Sequence, residues 1–365
     1  MKRIRAGSAV LAAGDSRPDA ALEILRQRYA RGEISNVHAF LQLLLPAMGA
    51  LTVARGSGGV ALVLALAALF SVAAALGQQP AAPVAIHHIH GLAVDPREPE
   101  TLLVATHTGL VRLGPKARLE WVGEQRFDLM GFTAHPTEAN VVYASGHPDL
   151  PTYRREQVGN LGLLLSEDGG RTWRSVTLGG HADFHALTWS PRDGGQLYGW
   201  SVAGQVGLHR VSVKPWTSER LEARGLSNVL ALSAGREAAG ALLAGTTEGL
   251  MVSLDGGATW RPAATGAPGA AVTAVAHHGL EPRLVYAYVN RRGAGLLRSR
   301  DGGGTWEPTG LFSGLDAPVV AVAVGPGDHV AVATTAGDIQ RSRDGGRTWQ
   351  KVLVAGRPVA GEGGR

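Results

Sequence analysis

Seven histidines, His87, His88, His90, His107, His147, His181 and His185, alternate with Asp128, Met130, Asp149 and Asp183 in one stretch of the chain. Neutral imidazoles beside carboxylate oxygens form a ligand set for a first-row divalent ion such as Zn²⁺ or Cu²⁺. His88 and His90 are two apart on an extended run, which places both rings on one side. The candidate metal ligands are His88, His90, His107, His147 and His185. Asp128 and Asp183 are either further ligands or acceptors for an imidazole N–H. Two plainer readings stand beside this one. The carboxylates Asp128, Asp149 and Asp183 could serve a two-carboxylate hydrolase, or each histidine could be a rim residue hydrogen-bonded to its own loop. With no Cys in 365 residues, a thiolate metal site, a catalytic thiol and a disulfide scaffold are excluded.

The elements that must position these residues are repeats. SEDGGRTW (166–173), SLDGGATW (253–260), SRDGGGTW (299–306) and SRDGGRTW (342–349) share one pattern, with starts 87, 46 and 43 residues apart. Recurrence at 40–50 residues signals a propeller or a solenoid. Asp and Ser side chains accept backbone N–H groups across the turn, and the Gly pair supplies positive φ. The Trp packs on the sheet beside the hairpin. This is the Asp-box (BNR) repeat, and the chain resembles the Asp-box β-propellers that include sialidases, sortilin-type domains and photosystem II assembly factors. The structural box residues are Asp168, Trp173, Asp255, Trp260, Asp301, Trp306, Asp344 and Trp349.

Short alternating runs precede each box, and two further units keep the strands without a complete box. The pattern predicts an all-β fold: a propeller of six four-stranded blades over residues 84–356, or seven if closure borrows the strand at 84–88. The seven histidines then map to starts of innermost strands or ends of second strands in blades 1–3, all on one face. His135, His277, His278 and His329 map to the opposite face, with the boxes. A longer insertion interrupts blade 2 at 147–160.

HIHGLAV (88–94), ATHTGL (105–110), MGFTAHP (130–136), ASGHPD (144–149) and ADFHAL (182–187) are similar to bacterial exported Asp-box proteins labelled glycosyl hydrolase. The resemblance implies membership of the sialidase-like superfamily, and with it a glycosidase alternative. A sialidase site needs three Arg for the substrate carboxylate, a Tyr nucleophile with a Glu partner, and an acid/base Asp. The Phe/Tyr-Arg-Ile/Leu-Pro motif of that family is absent. Tyr143, Tyr198, Tyr286 and Tyr288 fall inside second strands as packing residues.

Residues 1–57 hold eight Lys/Arg against four Asp/Glu, whereas the other 308 residues carry 27 basic and 26 acidic groups. The pI of 9.8 therefore reflects the N-terminus, and the body lacks the concentrated basic face that nucleic-acid binding requires. Residues 19–35 read as a short amphipathic helix and resemble half of a SHOCT module. Residues 58–77 read as a transmembrane anchor or a signal peptide, the latter beginning near Met48. Arg55 ahead of the apolar run directs the body outward. Residues 78–83 are a linker and 357–365 a tail.

These features lead us to expect an extracytoplasmic, monomeric binding module with a glycan or protein ligand, tied to the membrane through 58–77 if that segment is uncleaved. Glycoside hydrolase and scaffold for assembling a membrane protein complex are the alternatives. Protease added to intact cells should digest the body, or the body should accumulate in the medium. Recovery from the cytosol alone would refute export.

Overall fold

The computed structural model describes residues 84, 86, 88–190, 195–235 and 241–359. The expected helix at 19–35, the apolar segment 58–77, the linker 78–83 and His87 lie outside the described residues. Among the described residues, no helix is long and apolar enough to cross a membrane.

Six antiparallel sheets, each with its strands in chain order, span residues 89–122, 128–177, 182–220, 229–262, 272–308 and 319–358. The fold is a six-bladed propeller, with no seventh sheet among the described residues. The Ile86 N–H donates to the Gly356 carbonyl at 3.1 Å, and the Ile86 side chain is buried among Ile339, Val352 and Leu353. A Cβ on Gly356 would lie 1.7 Å from the Ile86 carbonyl oxygen, so this close approach requires glycine. Blade 6 carries a fifth strand, Arg357–Pro358, paired with Leu353 and Val354, inside the segment read from sequence as a tail.

The core is divided into six apolar clusters, each between neighbouring blades. Second strands such as Leu102–Thr106, Val285–Val289 and Val330–Thr334 are buried along their whole length, because neighbouring blades cover both of their faces. That burial explains their continuous Val, Ala, Leu and Tyr character. The four second-strand tyrosines, Tyr143, Tyr198, Tyr286 and Tyr288, are at most 3% exposed, as packing residues should be.

All four boxes share one hydrogen-bond pattern. In the first, Asp168 Oδ1 accepts the Thr172 N–H at 2.9 Å, Oδ2 accepts the Thr172 hydroxyl at 2.6 Å, and Ser166 Oγ accepts the Gly170 N–H at 2.7 Å. The Gly pairs all have positive φ, for example 76° and 91° at Gly169 and Gly170. The box glycines Gly169, Gly302 and Gly345 donate to carbonyls of Asn140, Arg283 and Asp328. These acceptors sit in loops between first and second strands, which fixes the boxes on that face. The tryptophans reach further than their own hairpins: Trp173, Trp260, Trp306 and Trp349 pack into the clusters between blades.

Two outcomes follow from the boxes. Trp260 is 7% exposed, and its indole N–H donates to the Gly257 carbonyl at 3.0 Å. Trp260→Ala should cost ~3–5 kcal/mol, read as a fall in melting temperature. Unchanged melting would refute the clamping role.

The box aspartates are strong acids in the fold. Asp255 is held at about 2, first by the Thr259 hydroxyl, and Asp301 at about 2, first by the Thr305 N–H. Unfolded aspartate titrates near ~3.9. Their stabilisation is therefore complete above roughly pH 4 and is lost as pH falls through the folded value. Melting temperature should drop between pH 4 and 2, and Asp255→Asn with Asp301→Asn should flatten that drop.

Candidate functional site

One feature of the innermost strands positions the histidines. In blades 1, 2, 4, 5 and 6 the pairing to the second strand slips by one residue near the start, between Ile89/Gly91, Leu129/Phe132, Val229/Ala231, Val272/Ala274 and Val319/Ala321. Blade 3 skips His185 between Phe184 and Ala186. Aligned on this β-bulge, the extra residue is His90, Met130, His185, Leu230, Thr273 or Val320, followed by Gly or Ala. A bulge turns its side chain out of the pleat, and His90 and His185 line the central cavity at this level with Leu230 and Val320. Simple alternation would put the His88 and His90 rings on one side. The structure replaces it with a bulge at His90 and a left-handed backbone at His88, φ 56°.

The second strands supply the other two imidazoles. His107 is at the tip of a turn in which Thr106 Oγ donates to the Gly109 carbonyl at 2.8 Å and accepts the Thr108 N–H at 3.1 Å. Blade 4 builds the same turn from Thr246 and Gly249, with Thr247 in the place of His107. His147 ends its strand opposite Asp128, next to Gly146, where a Cβ would lie 1.8 Å from the Asp128 carbonyl. Blade 3 is tied to blade 2 by the Phe184 N–H donating to Ser145 Oγ at 3.0 Å, and within blade 3 the Asp183 N–H donates to Ser201 Oγ at 3.1 Å.

All seven expected residues join one network. The His107 Nδ1–H donates to Asp128 Oδ1 at 2.6 Å, and His147 Nδ1 is 3.4 Å from Asp128 Oδ2. His147 Nε2 lies 3.4 Å from Asp183 Oδ2, and His185 Nε2 lies 3.0 Å from the same oxygen. The rings of His88 and His90 stand 4.9 and 4.4 Å from the His107 ring. His90 Nε2 is 3.9 Å from Asp128 Oδ1, beyond hydrogen-bond reach. It is buried without a hydrogen-bond partner among the described residues, as is Asp183 Oδ1.

Electrostatics divides the roles. Burial first, then His107, pulls His90 down to about 4 against the opposing Asp128 charge, so His90 is neutral at pH 7 and keeps a lone pair. Burial pushes Asp183 up, but hydrogen bonds and charge from His185 and His147 outweigh it, and its pKa lies below the ordinary value.

Other candidates have structural duties. Asp149 caps the helix Leu150–Glu156 inside the blade 2 insertion, accepting the Thr152 N–H at 2.9 Å and the Arg126 N–H at 3.2 Å. His181 is exposed, and its carbonyl accepts the Gln205 N–H at 2.8 Å. On the opposite face His135 and His278 cap turns, their Nδ1 atoms accepting the Glu138 and Glu281 N–H groups at 3.0 and 2.8 Å. The sequence reading overlooked the shared register of His90, Met130 and His185. The signal was present in the Gly or Ala that follows each of them.

A family model described as photosynthesis system II assembly factor YCF48 matches residues 208–358, over a fold of six blades carrying four boxes. The chain is an Asp-box (BNR) repeat β-propeller. No curated protein matches it. Among solved structures, YCF48 bound to a D1 peptide is 16% identical, covering 77% of this chain and 89% of that one, with a TM-score of 0.43. An ancestral GH74 enzyme is 15% identical over 76% of this chain and 40% of that one, TM-score 0.47. A chain of a nidogen/laminin complex is 11% identical over 68% and 91%, TM-score 0.51. These are likenesses of fold alone. The BNR propeller spans only 40% and 45% of the lengths of the ancestral GH74 enzyme and a GH74 xyloglucanase from Xanthomonas campestris.

Proposed function

We propose that this BNR propeller is an extracytoplasmic binding module whose working face is the mouth of blades 1–3, with a divalent transition ion, Zn²⁺ or Cu²⁺, held by His90, His107 and Asp128. The observation that carries the reading is the convergence of five histidines and two aspartates from three consecutive blades. Blades 4–6 offer Leu230, Thr273 and Val320 at the same bulge.

The three donor groups fit an ion. One atom of each lies within 4.8 Å of the other two, and metal bonds of about 2.0–2.2 Å require donors roughly 3–4 Å apart. His90 Nε2 is neutral, buried and without a hydrogen-bond partner among the described residues, which is the condition of a nitrogen lone pair that a cation can take up. Two imidazoles and one carboxylate leave coordination positions for an oxygen or nitrogen of the ligand, a glycan or a protein, which the ion would polarise. Binding rather than hydrolysis is favoured because Asp149 is committed to a helix cap and the four tyrosines are buried. A second reading, a scaffold for assembling a membrane protein complex, draws on the family-model match at 208–358.

The test is titration of the untagged full chain with Zn²⁺ at neutral pH. Binding should saturate, with His107 giving one ring nitrogen to the ion and carrying its single N–H on the other. His107→Ala and Asp128→Asn should each weaken it at least about tenfold without lowering the melting temperature. Absence of saturable binding would end the metal reading, and a stable membrane-protein partner isolated with no metal would favour the scaffold.

A further inference from the structure

We infer that the ion is copper, and that Met130 adds its thioether sulfur to the two imidazoles and the carboxylate that hold it. The inference rests on the ion site proposed above and assigns a donor which that site does not contain.

The innermost strands of blades 1–3 run the same way through their bulges. The residue before the bulge packs against the preceding blade: Ile89 with blade 6, Leu129 with blade 1 and Phe184 with blade 2. The residue after it faces the following blade. A Cβ on Gly91 would lie 2.7 Å from Phe132 Cβ, and one on Gly131 would lie 2.5 Å from the Phe184 carbonyl oxygen. Ala186 is buried in the cluster between blades 3 and 4. Leu92, Phe132 and Leu187 then return to the preceding blade. Both faces of each sheet are thus taken by the neighbours of the bulged residue, which leaves that residue the axis. His90 and His185 line the central cavity from this position, and Met130 holds it in the blade between them.

Packing does not account for Met130. It is half-buried and belongs to none of the six apolar clusters formed by the described residues. Met251, by contrast, packs against the cluster between blades 3 and 4. Met130 follows Asp128 by two residues on one strand, and donor atoms of Asp128, His90 and His107 lie within 4.8 Å of one another.

The donor types then select the metal. Imidazole suits copper, a soft thioether selects Cu⁺, and mixed nitrogen and oxygen donors suit Cu²⁺. The protein ligands of Zn²⁺ are thiolate, imidazole and carboxylate, so a thioether gives it nothing. His90 and His107 are the constant part of the seat. Asp128 favours the oxidised ion and Met130 the reduced one, so the site holds copper in both states.

The experiment compares Cu⁺ with Zn²⁺ on the untagged full chain and on Met130→Leu. Cu⁺ is titrated anaerobically against bathocuproine disulfonate as a competing chelator. Leu230 stands at the same bulge in blade 4, so Met130→Leu should keep the wild-type melting temperature. It should weaken Cu⁺ binding at least about tenfold more than Zn²⁺ binding. X-ray absorption of the Cu⁺-loaded wild type should show sulfur bound to copper, and the variant should lack it. Equal effects on the two ions, Zn²⁺ binding without Cu⁺ binding, or a sulfur signal missing from the wild type or kept in the variant each overturns the role of Met130 and leaves the ion site. Failure of the wild type to bind either ion saturably overturns both.

Discussion

The interaction on which the rest of this structure depends is the packing of each second strand between two neighbouring blades. Val104, Ala144, Ala244, Ala287 and Val332 are all fully buried, and none is covered by its own sheet alone. A four-stranded sheet with both faces apolar cannot stand by itself in water, so each blade is stable only as part of the ring. Closure is then the critical contact. Between blades 6 and 1 it is reinforced by Glu100, whose two carboxylate oxygens take the Arg343 guanidinium at 2.7 and 2.8 Å, with buried Arg341 at 3.5 Å. The Arg343 hydrogen bond is the main reason the Glu100 pKa is lowered.

Because the clusters between blades and the boxes carry stability, the opposite ends of the strands are free to differ between blades. The bulge near the start of each innermost strand is part of the scaffold, and what it displays is local. Three blades display His90, Met130 and His185, and three display Leu230, Thr273 and Val320. The mouth is therefore chemically divided, a half of imidazole and carboxylate facing a half of aliphatic and hydroxyl groups. Buried polar atoms without hydrogen-bond partners among the described residues, such as His90 Nε2 and Asp183 Oδ1, are tolerated there because the rest of the ring is well packed.

The fold was largely legible in the chain because its signals are local. Ser, Asp, Gly-Gly, Thr and Trp at fixed offsets define a turn whose bonds all close within eight residues, and the strand runs around it repeat in order. The blade count was legible to within one, since the place of Ile86 is set by a long-range bond to Gly356 that no local pattern marks. The shared face of His90, His107, His147 and His185 followed from topology alone. The bulge did not. It is a two-against-one pairing between strands, and strict alternation at His88 and His90 could not reveal it. The cap role of Asp149 was hidden for a similar reason, because the insertion at 147–160 shows no repeat that would mark Leu150–Glu156 as a helix.

The family-model match and the candidate site occupy different parts of the ring. Residues 208–358 begin after His185, so they contain three of the four boxes and none of the seven clustered residues. The likeness therefore covers the outer strands of blade 3 and blades 4–6, and it says nothing about blades 1 and 2 or about the histidine-bearing strand of blade 3. Chemistry gathers where the repeat is least regular: blades 1 and 3 lack a complete box, and blade 2 carries the long insertion. A symmetric ring offers six equivalent positions around one axis, but a ligand site needs unlike groups side by side. Substituting the bulge and turn residues of adjacent blades, while the boxes and second strands stay constant, produces that asymmetry without disturbing the contacts on which the ring depends.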